Sequence, residues 1–181
     1  MNPKVKKRLR VISILTTLIW MIVIFRFSMD SGSASHELSD ACVQIFNKLV
    51  YFLVHKDLRL AISPEHYVWI EMFFRKCAHM TIYFVLSMNV MVVLFTFNMK
   101  MRYRMFLSVL FCFIYALTDE FHQMFVDGRG ASFLDCLIDT FGALMGMIAA
   151  LILFCICYTI MTKYQKRKGL IKNPYLNDSV K

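Results

Sequence analysis

His79, Asp119 and Glu120 are side chains that can hold or pass a proton, and each sits beside a stretch with few other polar groups. His79 shares a helical face with Arg75 and Tyr83, at i, i+4 and i+8, with Lys76 on the neighbouring side of the same turn. Asp119 and Gln123 are likewise four apart, and Glu120 lies next to them. Further along, Asp135, Asp139, Gly142 and Gly146 follow i, i+4, i+7 and i+11, so two acids continue into a small-xxx-small surface on which another helix can approach closely. His79, Asp119 and Glu120 are therefore the candidate catalytic groups, with His79 or Glu120 as acid or base. Arg75, Lys76, Tyr83, Gln123, Arg129, Asp135 and Asp139 are candidates for binding a substrate, the two arginines holding an anionic group.

Each signal has a plainer reading. Arg75 and Lys76 at a membrane boundary suit snorkelling to the headgroups. The acids suit an internal ion pair with Arg75 or Arg129, and the glycine spacing suits packing alone. Acids next to hydrocarbon nevertheless cost several kcal/mol unless they face a cavity or a partner. A metal centre on His79, Asp119, Glu120 and Asp135 lacks an H-E-x-x-H segment or paired cysteine spacing to support it, so the sequence is read with no metal and no cofactor.

The elements that position these groups follow from the hydropathy. The chain is 59% hydrophobic, against about 45–50% apolar in globular domains, and its mean hydropathy is +0.56. The apolar residues come in blocks near the ~18–20 needed to cross a bilayer. Four spans are expected, at about residues 11–27, 73–97, 105–126 and 133–161, in an all-α integral membrane protein forming a single domain over 1–181. The first span follows a basic tail but lacks a small-residue cleavage site, and with Trp20 and Phe25 in a long apolar run it reads as a retained signal anchor. Ser63-Pro64-Glu65 predicts the start of a helix that runs before it enters the membrane. Asp127-Gly128-Arg129-Gly130 predicts a tight reversal. In the segment 29–72, Leu38, Cys42, Ile45, Phe46 and Leu49 approximate helical spacing with Asp40, Gln44 and Lys48 opposite. This predicts an interfacial amphipathic helix, either covering the bundle or contributing directly to a ligand site.

Charge sets the expected orientation. Three segments (residues 4–10, 100–104 and the tail 163–181) carry 14 of the 21 Lys and Arg with one acid, Asp178, while the other side carries seven basic residues and eleven of the twelve acids. The positive-inside rule then places both termini in the cytoplasm and the polar constellation at the outer face. The net charge of +9 is thus a topology signal, and nucleic acid is excluded as a partner. Cys112, Cys155 and Cys157 lie in apolar blocks as packing residues, whereas Cys42, Cys77 and Cys136 share the outer side and allow one disulfide.

These residues also carry a family resemblance. Ser28, Ser31, Ser33, Ser35 and Ser39 after the first span, then Arg75-Lys76-Cys77-Ala78-His79-Met80-Thr81-Ile82-Tyr83, then Tyr115-Ala116-Leu117-Thr118-Asp119-Glu120-Phe121-His122-Gln123, Gly128-Arg129, Asp135 and Asp139-Thr140-Phe141-Gly142, resemble the VanZ-like family in order and spacing. That family takes its name from a protein associated with resistance to the glycopeptide teicoplanin. The resemblance implies a bacterial plasma-membrane protein with a cell-envelope role, in contact with membrane lipids and a lipid-linked or peptidoglycan-type substrate. The alternative is a non-catalytic module that binds an envelope lipid or partner protein, its charges forming structural ion pairs.

Overall fold

The computed structural model describes residues 3–29, 32–55, 64–128 and 130–168. They form five helices, α1 (Pro3–Met29), α2 (Gly32–Val54), α3 (Pro64–Phe95), α4 (Met101–Gln123) and α5 (Phe133–Arg167), with no strand among the described residues. All but α2 are long and apolar enough to cross a membrane, and the chain is a multi-pass all-α membrane protein. α1 and α5 outrun the spans expected from hydropathy, and α3 and α4 begin earlier than expected, because backbone hydrogen bonding continues where side chains are polar. α3 and α4 end at Phe95 and Gln123, short of the expected 97 and 126. At ~1.5 Å per residue, α3 is about 48 Å long against a hydrocarbon core of roughly 30 Å. Ser63, expected to cap α3, lies outside the described residues, but α3 does begin at Pro64.

Residues Met1–Met147 form one compact unit and Ile148–Lys181 a second. The second consists, in its described part, of the last turns of α5, where Ile152, Leu153 and Phe154 are exposed. In the first unit α3 is the hub, packing against α1, α2 and α4. Its interior inverts the logic of a soluble core. Ser13, Thr17, Ser28, Ser87 and Ser108 are buried, while Ile12, Ile19, Ile22 and Phe106 are exposed. Lipid is as apolar as leucine, so many large aliphatic groups stay in contact with it, and small residues that let helices approach share the interior with Ile24, Tyr83 and Leu86.

Side-chain hydrogen bonds stitch the helices together. Trp20 Nε1–H donates to the Ile82 carbonyl at 2.8 Å, Tyr115 O–H donates to the Met21 carbonyl at 2.7 Å, and the Ser87 and Ser108 hydroxyls meet at 3.2 Å. Such bonds average about 0.6 kcal/mol each in a membrane, so none of them alone fixes the arrangement. A closer contact does. A Cβ placed on Gly142 would come within 2.8 Å of the Met80 Cα, and one on Gly146 within 2.9 Å of the Phe84 Cα. The small-xxx-small stripe of α5 therefore lies directly on the backbone of α3.

The two ends of this unit differ. Where α3 finishes, Arg10 Nε and Nη2 donate to the Thr96 hydroxyl and carbonyl at 3.1 and 2.8 Å, and Arg104 Nη2 donates to the Phe97 carbonyl at 2.9 Å. Those basic side chains satisfy carbonyls that a helix C-terminus leaves without partners. At the other end, where α1 and α4 finish and α3 and α5 begin, the acids gather. There α2 lies along the first turns of α3, through Tyr67 O–H donating to Asp40 and the Phe46 and Phe74 rings 5.5 Å apart. The six cysteines are all free, so the disulfide allowed by Cys42, Cys77 and Cys136 is not formed; Cys112 and Cys136 are buried, and Cys155 and Cys157 are exposed on α5 rather than packed.

Candidate functional site

The acidic end is built by three close approaches. The Gly142 contact with Met80 sets α5 against α3, and because Asp139 lies one turn before Gly142 and His79 one residue before Met80, the same contact brings Asp139 to His79. Asp139 Oδ1 is 3.7 Å from His79 Nδ1. From α4, Asp119 joins them: one ligand-capable atom from each of His79, Asp119 and Asp139 lies within 4.8 Å of the other two. Asp119, Glu120, Gln123 and Asp139 are all buried.

Two recesses flank this group. A polar cavity of about 110 Å³ is lined from α3 by Arg75, Lys76 and His79, from α4 by Glu120 and Gln123, and from α5 by Asp135, Ile138 and Asp139, with Gly128 and Gly130 at its rim. Gly128 has φ 74°, the left-handed backbone that makes the expected reversal before α5. On the other side of α3 an apolar cleft of about 160 Å³ is walled by Ile24, Phe27, Leu38, Cys42, Phe74 and Ile82, and Arg75, His79 and Asp119 line it as well. Arg75 and His79 thus face both spaces.

The individual partners assign different tasks to the candidates. Lys76 pairs with Asp135, both side chains more than a third exposed (41% and 36%); such a pair is worth about 0–1 kcal/mol and yields readily to a competing anion. Gln123 Nε2 donates to Asp119 Oδ2 at 3.3 Å and steadies that carboxylate. Arg75 has no ion pair among the described residues, although acids surround it. Tyr83 is placed differently: it is fully buried in the core beside Tyr115, lines neither recess, and its hydroxyl makes no hydrogen bond among the described residues. Arg129, expected to hold an anion, lies outside the described residues.

Glu120 has a structural task that its sequence neighbours did not reveal. Its Oε2 accepts the Ser132 backbone N–H at 2.9 Å, and Ser132 is the residue whose carbonyl receives the first N–H bonds of α5, from Asp135 and Cys136. Glu120→Ala is therefore expected to loosen the start of α5 and lower the melting temperature, by a loss of about 1.5–3 kcal/mol for a hydrogen bond to a charged group. Glu120→Gln keeps an acceptor oxygen and should melt within about 1 kcal/mol of the parent chain. Parallel thermal unfolding of the two variants in one detergent checks this; equal losses would refute the anchoring role.

The lining of the apolar cleft was not singled out from sequence. Its residues are ordinary hydrophobes, and the one signal was the helical spacing of Leu38 and Cys42, which fits a covering helix equally well. The structure has both side chains, with Ser39 between them, in the cleft wall.

Fold and site together define a multi-pass helical membrane protein with a polar cavity, lined from three spanning helices, at one end of its bundle. The VanZ/LLP1 family model matches residues 13–158, and the chain belongs to the VanZ/LLP1 family. No curated protein and no solved structure matches the chain.

Proposed function

We propose that this protein binds, at the outer leaflet of the bacterial plasma membrane, an amphiphilic cell-envelope component of the lipid-linked or peptidoglycan-precursor type, and so lowers susceptibility to glycopeptides such as teicoplanin. The observation that carries this reading is the pairing of a polar cavity with an apolar cleft that share Arg75 and His79. An amphiphile needs both at once, a polar recess for its head and an apolar wall for its chain. Arg75, uncommitted to any described acid, supplies the charge for an anionic head, and Lys76 can exchange its weak pairing with Asp135 for the same group. Membership of the VanZ/LLP1 family supports the envelope role, and the asymmetry of Lys and Arg supports an orientation with both termini in the cytoplasm and the cavity outside.

Within this reading His79 is the group best placed for acid–base work, since it faces the cavity from between Arg75 and Asp139. A purely structural reading has its own support in the Lys76–Asp135 pair and the Glu120 anchor, both of which hold helices without needing a ligand. The two separate by experiment. Protein extracted from its native membrane should carry an anionic envelope amphiphile identifiable by mass spectrometry, and deletion of the gene should raise teicoplanin sensitivity. Unchanged teicoplanin and lysozyme sensitivity in the deletion strain, together with purified protein that carries only the bulk lipid mixture, would leave the structural reading in possession.

A further inference from the structure

Asp139 is fully buried, and neither of its carboxylate oxygens accepts a hydrogen bond among the described residues. A carboxylate in such a place costs several kcal/mol unless a cation or a proton joins it. His79 Nδ1, 3.7 Å from Oδ1, is too far to be a hydrogen-bond donor, but that is an ordinary separation for two donors that share an ion. Bonds of ~2.0–2.2 Å put the ligand atoms around one metal roughly 3–4.4 Å apart. Asp119, itself buried, completes the group with all three candidate atoms inside 4.8 Å, a span that side-chain rotation of about an ångström brings into range.

We propose that His79, Asp119 and Asp139 form a binding site for one divalent first-row metal ion of the Zn²⁺ or Mn²⁺ kind. The chemistry of the donors supports this choice. Two carboxylates and a neutral imidazole carry two negative charges, which one divalent ion cancels, and the imidazole nitrogen favours a transition metal over Mg²⁺ or Ca²⁺. The donors come from α3, α4 and α5, so the site exists only in the folded bundle, and Gln123 orients the Asp119 carboxylate from behind as outer-shell groups do. The nearest lysine on α3, Lys76, is neutralised by Asp135 and does not oppose a cation. Three protein donors leave coordination positions unfilled, and the polar cavity that His79 and Asp139 line is where they would open. On the reading above, an anionic oxygen of the bound amphiphile would fill one of them, polarised by the ion; the metal site itself does not depend on that reading.

The test uses the full chain, purified in detergent, stripped with chelator and then titrated with ZnCl₂ or MnCl₂ alone. The expected result is about one ion per chain by elemental analysis, with a rise in melting temperature on metal addition. His79→Gln, Asp119→Asn and Asp139→Asn should each reduce affinity at least tenfold and abolish that rise, while Phe106→Leu, at an exposed position near the start of α4, keeps both. Asp139→Asn removes a buried charge and should melt, without metal, at or above the temperature of the stripped parent chain. The stripped Asp139→Asn and His79→Gln proteins are independent checks, so misfolding of one leaves the other to decide. Binding well below one ion per chain, or full retention in His79→Gln or Asp139→Asn, would overturn the proposal. Lipid analysis of the same preparations separates the two readings: an anionic amphiphile retained without metal binding sinks the metal site alone, and metal bound without any such amphiphile sinks the proposed function alone.

Discussion

Gly142→Val is expected to prevent α5 from docking on α3, with a loss of at least about 1–3 kcal/mol, the range for overpacking a filled interior. The upper part of that range is favoured by what the new side chain meets. Its Cβ would stand 2.8 Å from the Met80 Cα and closer still to the Met80 carbonyl oxygen. Backbone cannot rotate out of the way as a side-chain tip can, so the helices must separate. Gly146→Ala meets the Phe84 backbone in the same way and should behave similarly. Gly130→Ala provides the contrast, because nothing lies within 4 Å of a Cβ there; it should melt with the parent protein. Separation also carries Asp139 away from His79, so their proximity is lost together with stability. Thermal unfolding of the three variants in a common detergent is the measurement. A Gly142→Val protein as stable as the parent would show that α5 does not seat on α3 through this stripe.

Arg75→Gln is expected to do the opposite, leaving the fold intact and removing most of the affinity for an anionic amphiphile. Arg75 is part-buried, it lines both recesses, and no described acid pairs with it, so its loss leaves no buried charge exposed to the interior. A hydrogen bond to a charged group is worth about 1.5–3 kcal/mol, which corresponds to roughly a tenfold to hundredfold weakening. Arg75→Lys keeps the charge but loses the planar fork, and should fall between the two. Binding of an anionic and a zwitterionic lipid to protein in nanodiscs reads this directly. Only the anionic lipid should respond to the substitution, and equal affinities in Arg75→Gln and parent protein would remove Arg75 from the site. Asp119→Glu makes the complementary point about tolerance: a scaffold of ion pairs accommodates the longer carboxylate, whereas a site that depends on the spacing of Asp119 from His79 and Asp139 does not.

The contrast between these variants follows from how the protein is held together. Lipid supplies no drive to bury leucine and isoleucine, and the interhelical hydrogen bonds from Trp20, Tyr115 and Ser108 are individually small. The close glycine seam and the polar links at the two ends therefore carry the geometry. Arg10 and Arg104 close the basic end against the last carbonyls of α3, and Glu120 holds the residue that starts α5 at the acidic end. The acidic end leaves a polar cavity, lined by Arg75, Lys76, His79, Glu120, Asp135 and Asp139.

The apolar blocks by themselves determined the four helices long and apolar enough to cross a membrane among the described residues, because stretches of apolar residues near 20 in length admit few other fates in water or lipid. Period was enough to place Arg75 with His79 and Asp119 with Gln123, since a helix puts i and i+4 side by side whatever surrounds it. The glycine spacing announced a close contact in the same local way. None of this could say which helix the stripe would meet, because a one-dimensional pattern carries no partner; α3 became that partner only when its Met80 and Phe84 backbone came against Gly142 and Gly146. The same docking decided that Asp139, rather than Glu120 or Asp135, would complete a cluster with His79 and Asp119, since distances between side chains on three helices depend on interhelical packing. It also turned Tyr83, one turn beyond His79 on the same face, into a core residue and gave Glu120 a backbone amide to hold. Local periodicity assigns residues to faces; only the packing of one face on another decides which of them share a site.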